Sequence, residues 1–295
     1  MRTELPGITM KSPLMPASGT FGFGQGYANQ YDLNTLGALV TKSTTFDPRV
    51  GNQGTIYAEG PSSTLNAVGL KNPGVAHVLA HELPWLASHY PDLPIIASIA
   101  GETTAEYVAV ATQLSQAPNV AALELNISCP NVDRGGLSFG VDPAIAQAVT
   151  AAVVQASLVP VYVKLTPNVT DITVIAQAVA AGGASAIALI NTLVGMRFDA
   201  KTGQPVITRG TGGISGPALL PLALHMVYQV HQAVDLPIIG MGGVSSGADV
   251  LEMQAAGATA VAIGSANYYR QQAIPNILAE YQEITEDHHA ANYRA

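Results

Sequence analysis

Cys129 is the only cysteine of the chain, and it stands in Asn126-Ile127-Ser128-Cys129-Pro130-Asn131. A thiol becomes a proton acceptor where its surroundings favour the thiolate, and flanking asparagine amides can hold a polar substrate beside it. The preceding segment, Ala121-Ala122-Leu123-Glu124-Leu125-Asn126, reads as a strand. The following one, Val132-Asp133-Arg134-Gly135-Gly136, is polar and glycine-containing. The lone thiol therefore falls where a strand gives way to a loop. Free cysteine also packs well as a small hydrophobe, so this segment alone leaves catalysis and packing both open.

Lys42 and Lys164 lie at or near the ends of apolar strand-like runs, where an unpaired ammonium is costly. Either one alone could snorkel to the rim of a barrel, but two in matching places point to an anionic ligand. Gly242-Gly243 and Gly264-Ser265 follow two further runs. Glycine lets backbone N–H groups approach a phosphate closely, although a Gly-Gly pair by itself is equally a turn. His77 and His81 are four apart and could share a helix face, yet no third ligand lies near them and Pro84 breaks any His-Glu-x-x-His pattern. We therefore expect no metal. His288-His289 reads as part of a solvated, charged tail.

The elements that must position these residues are short apolar runs set between Ala-rich segments. Eight runs read as strands: 13–17, 38–42, 94–98, 121–126, 161–165, 186–190, 237–241 and 260–264. Most are apolar throughout, as parallel strands covered on both faces should be. Helices are expected over 103–116, from a Thr103-x-x-Glu106 capping pattern, and over 142–156, from Asp142-Pro143. Others are expected over 171–181, stopped by Gly182-Gly183, and over 217–234 and 248–256. The uncharged stretch 172–196 resembles a membrane span, but its glycine pair and polar residues make helix, turn and strand the better reading.

Strand alternating with helix over 295 residues predicts an α/β chain folded as one (β/α)8 TIM barrel, spanning 1–295 as a single domain. A doubly wound open sheet is the alternative. Two long insertions, 44–70 after the second strand and 191–216 after the sixth, have few helix signals. Asp199-Ala200-Lys201-Thr202-Gly203 reads as a hairpin turn inside the second. Loops that long inside compact domains are usually functional. Ser18, Lys42 with Ser43, Ser98, Asn126, Lys164, Asn191 with Thr192, Gly242 with Gly243, and Gly264 with Ser265 all fall at C-terminal strand ends. Barrel enzymes build their active sites on that face.

Composition excludes other classes. Charged residues make up only 11% of the chain against 48% apolar, and the net charge is -8 with no basic cluster. That argues against nucleic acid or an anionic membrane surface as partner. One cysteine excludes an internal disulfide and an iron–sulfur cluster built by this chain alone. The first residues, Met1-Arg2-Thr3-Glu4-Leu5-Pro6-Gly7, show no signal-peptide pattern, so a cytoplasmic protein is expected.

Pro16-Ala17-Ser18-Gly19-Thr20-Phe21-Gly22, Thr41-Lys42-Ser43, the run Asn66-Ala67-Val68-Gly69-Leu70-Lys71-Asn72-Pro73-Gly74, the Cys129 motif, Lys164-Leu165-Thr166-Pro167 and Gly240-Met241-Gly242-Gly243-Val244 occur in that order. Together they resemble class 1 dihydroorotate dehydrogenases over about residues 4–270. Asn191-Thr192-Leu193-Val194-Gly195-Met196-Arg197 and Gly210-Thr211-Gly212-Gly213-Ile214-Ser215-Gly216-Pro217 look most like the class 1B catalytic subunit. The resemblance implies bound FMN and oxidation of (S)-dihydroorotate to orotate in pyrimidine synthesis. It implies Cys129 as the base for the C5 proton, with the C6 hydrogen leaving as hydride to the flavin.

By motif position, Lys42 would lie between substrate and flavin. Asn66, Asn126, Asn131, Asn191 and Thr192 would hold the substrate, with backbone groups of Gly69 and Leu70. The resemblance further implies flavin contacts from Ser18, Ser43, Ser98, Asn126 and Ile190. Lys164 would stand at the N1–O2 edge, and Gly216, Gly242, Gly243, Gly264 and Ser265 would cradle the phosphate. Class 1B enzymes pass electrons to NAD+ through a subunit bearing FAD and an iron–sulfur cluster, so such a partner is implied, around a homodimer core within a heterotetramer. Ser98 departs from the asparagine usual in class 1B and is more like class 1A. Three alternatives stay open: a homodimer that uses fumarate, an FMN barrel reductase acting on another pyrimidine, and a non-catalytic barrel that binds a phosphate ligand.

Overall fold

The structure, a computed structural model, describes residues 2–128 and 137–292, the side chains of 137, 138 and 288–292 excepted. Eight parallel strands make a barrel. They are β1 (Leu14–Pro16), β2 (Leu39–Val40), β3 (Ile95–Ile99), β4 (Val120–Asn126), β5 (Val161–Lys164), β6 (Ala186–Leu189), β7 (Ile238–Met241) and β8 (Ala260–Ile263). Their order is β1-β8-β7-β6-β5-β4-β3-β2. Each falls inside or within a residue of an expected run. At the seam, Gly37 N donates to Leu14 O at 2.8 Å and nearly closes the barrel.

The strands read as apolar throughout because both faces are covered. In β4, Leu123 and Leu125 join the large core between strands and helices. Ala122 on the opposite face joins the inner cluster with Met15, Val40, Ile96, Tyr162, Ala188 and Ile239. Alanines such as Ala38, Ala186 and Ala260 keep that interior narrow, and larger side chains fill it. A hairpin of Thr3–Leu5 and Ile8–Met10 closes the N-terminal end of the barrel. Its Leu5, Ile8 and Met10 join the inner cluster, and Tyr162 Oη donates to Pro6 O at 2.6 Å.

Seven helices follow β2 to β8 in turn: α1 (Leu83–His89), α2 (Thr104–Leu114), α3 (Pro143–Ala156), α4 (Ile172–Ala181), α5 (Leu220–Ala233), α6 (Gly247–Ala255) and α7 (Ala273–Asn292). Several starts are fixed by side-chain caps. Thr103 accepts from Glu106 N, Asp142 from Ile145 N and Asp171 from Thr173 N. α4 then buries Ile172, Ile175, Ala176 and Val179, and each fully buried Val or Ile is worth about 1.5–3 kcal/mol.

Two helices were not expected. α1 sits behind an insertion that blurs its signals, and α7 includes His288 and His289, which the sequence placed in a tail. The reverse holds after β1, where only the four-residue turn Gln25–Ala28 and the 3-10 turn Leu33–Thr35 intervene. The stretch 172–196 resolves into α4, β6 and the short strand Leu193–Gly195. Among the described residues no helix is long and apolar enough to cross a membrane.

The insertions after β2 and β6 meet. Tyr57–Gly60 and Ser63–Asn66 from the first, with Leu193–Gly195 and Gly212–Ser215 from the second, form a four-stranded antiparallel sheet. The joining pair puts Gly213 opposite Asn66 and Ser215 opposite Thr64. In the turn at 199–203, Asp199 accepts from the backbone of Lys201 and Thr202.

Candidate active site

The C-terminal strand ends and the insertion sheet enclose a cavity of about 410 Å³. Ser18 comes from the end of β1, Lys42 and Ser43 from β2, Asn126 from β4 and Lys164 from β5. Ile190, Asn191 and Thr192 follow β6, Gly242 and Gly243 follow β7, and Gly264 and Ser265 follow β8. The first insertion adds Asn66, Gly69 and Leu70. Fifteen of the positions singled out from sequence therefore line one space. Cys129 and Asn131 lie outside the described residues.

Two expected positions do not line it. Ser98 is fully buried. Its hydroxyl donates to Glu124 Oε1 at 2.9 Å and contacts Ser43 Oγ at 2.8 Å, so Ser43 lies between Ser98 and the cavity. A direct contact from Ser98 to a ligand is not made in this geometry. Gly216 stands where the insertions cross. With φ at +118°, a Cβ there would meet Ser62 O at 2.7 Å.

Lys164 carries the strongest electrostatic signal. It is 3% exposed, and its Nζ donates to Ser18 Oγ at 3.2 Å. An ammonium has three donors, so the one neutral partner found leaves the buried charge uncompensated by any acid among the described residues. Lys42 is also close to the glycine loop after β1: a Cβ on Gly19 would stand 3.4 Å from Lys42 Nζ.

At the far end, Gly243 has φ of +80°, and a Cβ on it would lie 2.4 Å from Leu220 N at the start of α5. Only glycine allows that approach. An adjoining cavity of about 320 Å³ shares Gly243, Val244 and Ser265 with the first and extends to Arg270. Partial burial raises the Tyr57 hydroxyl above the ordinary phenol range, helped by its hydrogen bond to Tyr269. The Tyr57 ring meets Tyr268 edge-on, at 6.3 Å between centroids, on the cavity wall. A buried uncompensated cation, a glycine cradle and a lined cavity between them fit FMN, an anionic, aromatic group.

The polar residues are tied together by partners the sequence reading left out. Ser128 is fully buried; its Oγ donates to Asn126 Oδ1 at 2.9 Å and accepts from Asn191 Nδ2 at 2.8 Å. Asn168 donates to Thr192 O at 3.0 Å and accepts from Val194 N at 2.8 Å, fixing the chain after β6. Asn72 holds the first insertion. It accepts from Thr45 N and Gly74 N and donates to Thr45 Oγ1 and Leu70 O. Asn72 and Ser128 lay inside recognised motifs, but what they bind is visible only in three dimensions. The rings of His77 and His81 lie 4.5 Å apart, tilted by 45°, and no group able to hold a metal occurs among the described residues.

Comparison with known proteins agrees with this architecture. The family model described as dihydroorotate dehydrogenase matches residues 1–285. A dihydroorotate dehydrogenase A (fumarate) of Lacticaseibacillus paracasei is 69% identical over 97% of this chain and 98% of its own. A dihydroorotate dehydrogenase B (NAD(+)) catalytic subunit of Anoxybacillus flavithermus is 56% identical over 97% of this chain and 91% of its own. Another, of Latilactobacillus sakei, is 58% identical over 94% and 91%. The chain thus belongs to the dihydroorotate dehydrogenase family of FMN-dependent oxidoreductases.

Proposed function

We propose that this chain oxidises (S)-dihydroorotate to orotate, with Cys129 as the base that takes the C5 proton. The observation that carries the reading is one cavity holding the buried Lys164 cation together with the amides of Asn66, Asn126 and Asn191. Dihydroorotate offers ring N–H groups, carbonyls and a carboxylate, and amides can answer both donors and acceptors. Cys129 follows Ser128 directly in the chain, and Ser128 joins Asn126 to Asn191. Bound FMN supplies the acceptor for the hydride that leaves C6.

The chain's own residues do the rest. Lys42, Asn66, Asn126, Asn131, Asn191 and Thr192, with the backbone of Gly69 and Leu70, orient the ring so that C5 faces the thiolate. Lys164, Ser18, Ser43, Ile190 and the glycines Gly242, Gly243 and Gly264, with Ser265, would hold the flavin. Lys164 brings positive charge to a flavin edge where negative charge gathers on reduction.

For the electron acceptor we propose NAD+, reached through a partner subunit with FAD and an iron–sulfur cluster around a homodimeric core. The relatives named for NAD(+) at 56% and 58% identity and the 191–197 motif support it. On this reading the cluster belongs to the partner, since the chain's single cysteine cannot ligate one. A second reading, fumarate reduced without a partner, is supported by the relative named for fumarate at 69% identity and by Ser98. A cytoplasmic location belongs to either proposal. The test is the purified chain with dihydroorotate and, separately, an artificial dye, fumarate and NAD+. Turnover with dye alone supports the partner; turnover with fumarate supports the second reading; NAD+ turnover by the chain alone overturns the first.

A further inference from the structure

Glu124 lies on the inner face of β4 and is 2% exposed, and the chemistry above does not use it. Its surroundings form a directed chain of hydrogen bonds. Ser98 Oγ donates to Glu124 Oε1 at 2.9 Å. A serine hydroxyl carries one proton, so the Ser98 proton is committed to the carboxyl oxygen. Ser98 then meets Ser43 as an acceptor, and Ser43 is the donor in their 2.8 Å contact. With its proton used, Ser43 accepts from Asn126 Nδ2 at 3.1 Å.

The other end gives the same direction independently. The backbone N–H of Ser128 donates to Asn126 Oδ1 at 3.2 Å, which fixes the amide's orientation. A backbone donor at one end and a carboxylate at the other thus agree on every bond between them.

We propose that Glu124 is a positioning residue that sets this direction, so that Ser43 meets a ligand only as an acceptor and Asn126 only as a donor. The proposal rests on reading the cavity as the site of FMN beside dihydroorotate. In Glu124→Gln a neutral amide replaces the carboxylate and can turn its N–H toward Ser98. Ser98 would then donate to Ser43, and the Ser43 proton would turn into the cavity. A ligand N–H that faced a lone pair would then face a proton.

The test is FMN binding to the flavin-free protein, followed by quenching of flavin fluorescence. Glu124→Gln should raise the FMN Kd about tenfold, the effect of one misdirected hydrogen bond. Its flavin reduction rate at saturating dihydroorotate should stay within about threefold of wild type, because the base is untouched. Ser43→Ala removes the hydroxyl that transmits the direction, so adding Glu124→Gln to it should change Kd by less than about twofold.

The same tenfold loss in both backgrounds would show a general structural effect and overturn the proposal, as would an unchanged Kd in Glu124→Gln alone. Should Glu124→Gln fail to fold, Ser98→Ala breaks the chain with the carboxylate intact. It should weaken FMN binding about as much, and a wild-type Kd there overturns the proposal. Wild-type protein that binds no FMN overturns this proposal and the functional reading together, and the wild-type titration alone reveals it.

Discussion

Replacing Lys164 by methionine removes the charge while nearly keeping the volume. In the structure Nζ is buried and donates to Ser18 Oγ at 3.2 Å, which leaves two of its three donors for an anionic group. A hydrogen bond from a charged donor is worth about 1.5–3 kcal/mol. Losing one such bond to FMN should weaken flavin binding about 10- to 100-fold. The effect on the apoprotein has the opposite sign. A buried ammonium without an acidic partner among the described residues is a burden on the fold, so the methionine variant without flavin should melt no lower than wild type, and higher if repacking succeeds. Quenching of FMN fluorescence on titration with apoprotein reads the first quantity, and thermal melting of the flavin-free protein reads the second. An unchanged FMN affinity would refute the reasoning. A large drop in melting temperature would show that the charge is compensated in the fold itself.

Cys129→Ser should still bind orotate but slow flavin reduction on the order of 10²-fold, as loss of a general base does. That rate should keep rising with pH without an early plateau, because a hydroxyl is harder to deprotonate than a thiol; wild-type kinetics in stopped flow would refute the base. Gly243→Ala places a Cβ 2.4 Å from Leu220 N at a φ of +80°, so the variant should be purified with less flavin, measured by its absorbance ratio. Asn72→Ala strands the Thr45 and Gly74 N–H groups, costing about 1–3 kcal/mol by denaturant unfolding. It should also raise the KM for dihydroorotate more than it lowers kcat, since Leu70 loses its anchor.

The barrel was legible because its strands are apolar on both faces and are punctuated by glycine, proline and capping residues. Lys42 and Lys164 were legible for a related reason: a charge in an apolar run must answer to something. Glu124 satisfies the same test as an anion inside Ala121-Ala122-Leu123-Glu124-Leu125-Asn126. For Ser98 the resemblance implies a flavin contact that the structure does not make, and a strand-end serine does not reveal its depth. Its register partner, Glu124, sits a layer below Asn126, which is level with Lys164. The insertion sheet was not legible, because Asn66 pairs with Gly213 across most of the barrel and no local pattern encodes that partner. α7 was hidden by a weak pattern over Ala273–Asn292, a helix packed chiefly against α6.

The central claim is that this chain alone, with its FMN, removes hydrogen from dihydroorotate. The most direct measurement is anaerobic mixing of the flavin-loaded protein with (S)-dihydroorotate while the oxidised flavin absorbance is followed. The account predicts that the absorbance bleaches within a single turnover, with one orotate formed per flavin. Flavin that stays oxidised in the presence of saturating dihydroorotate would contradict it.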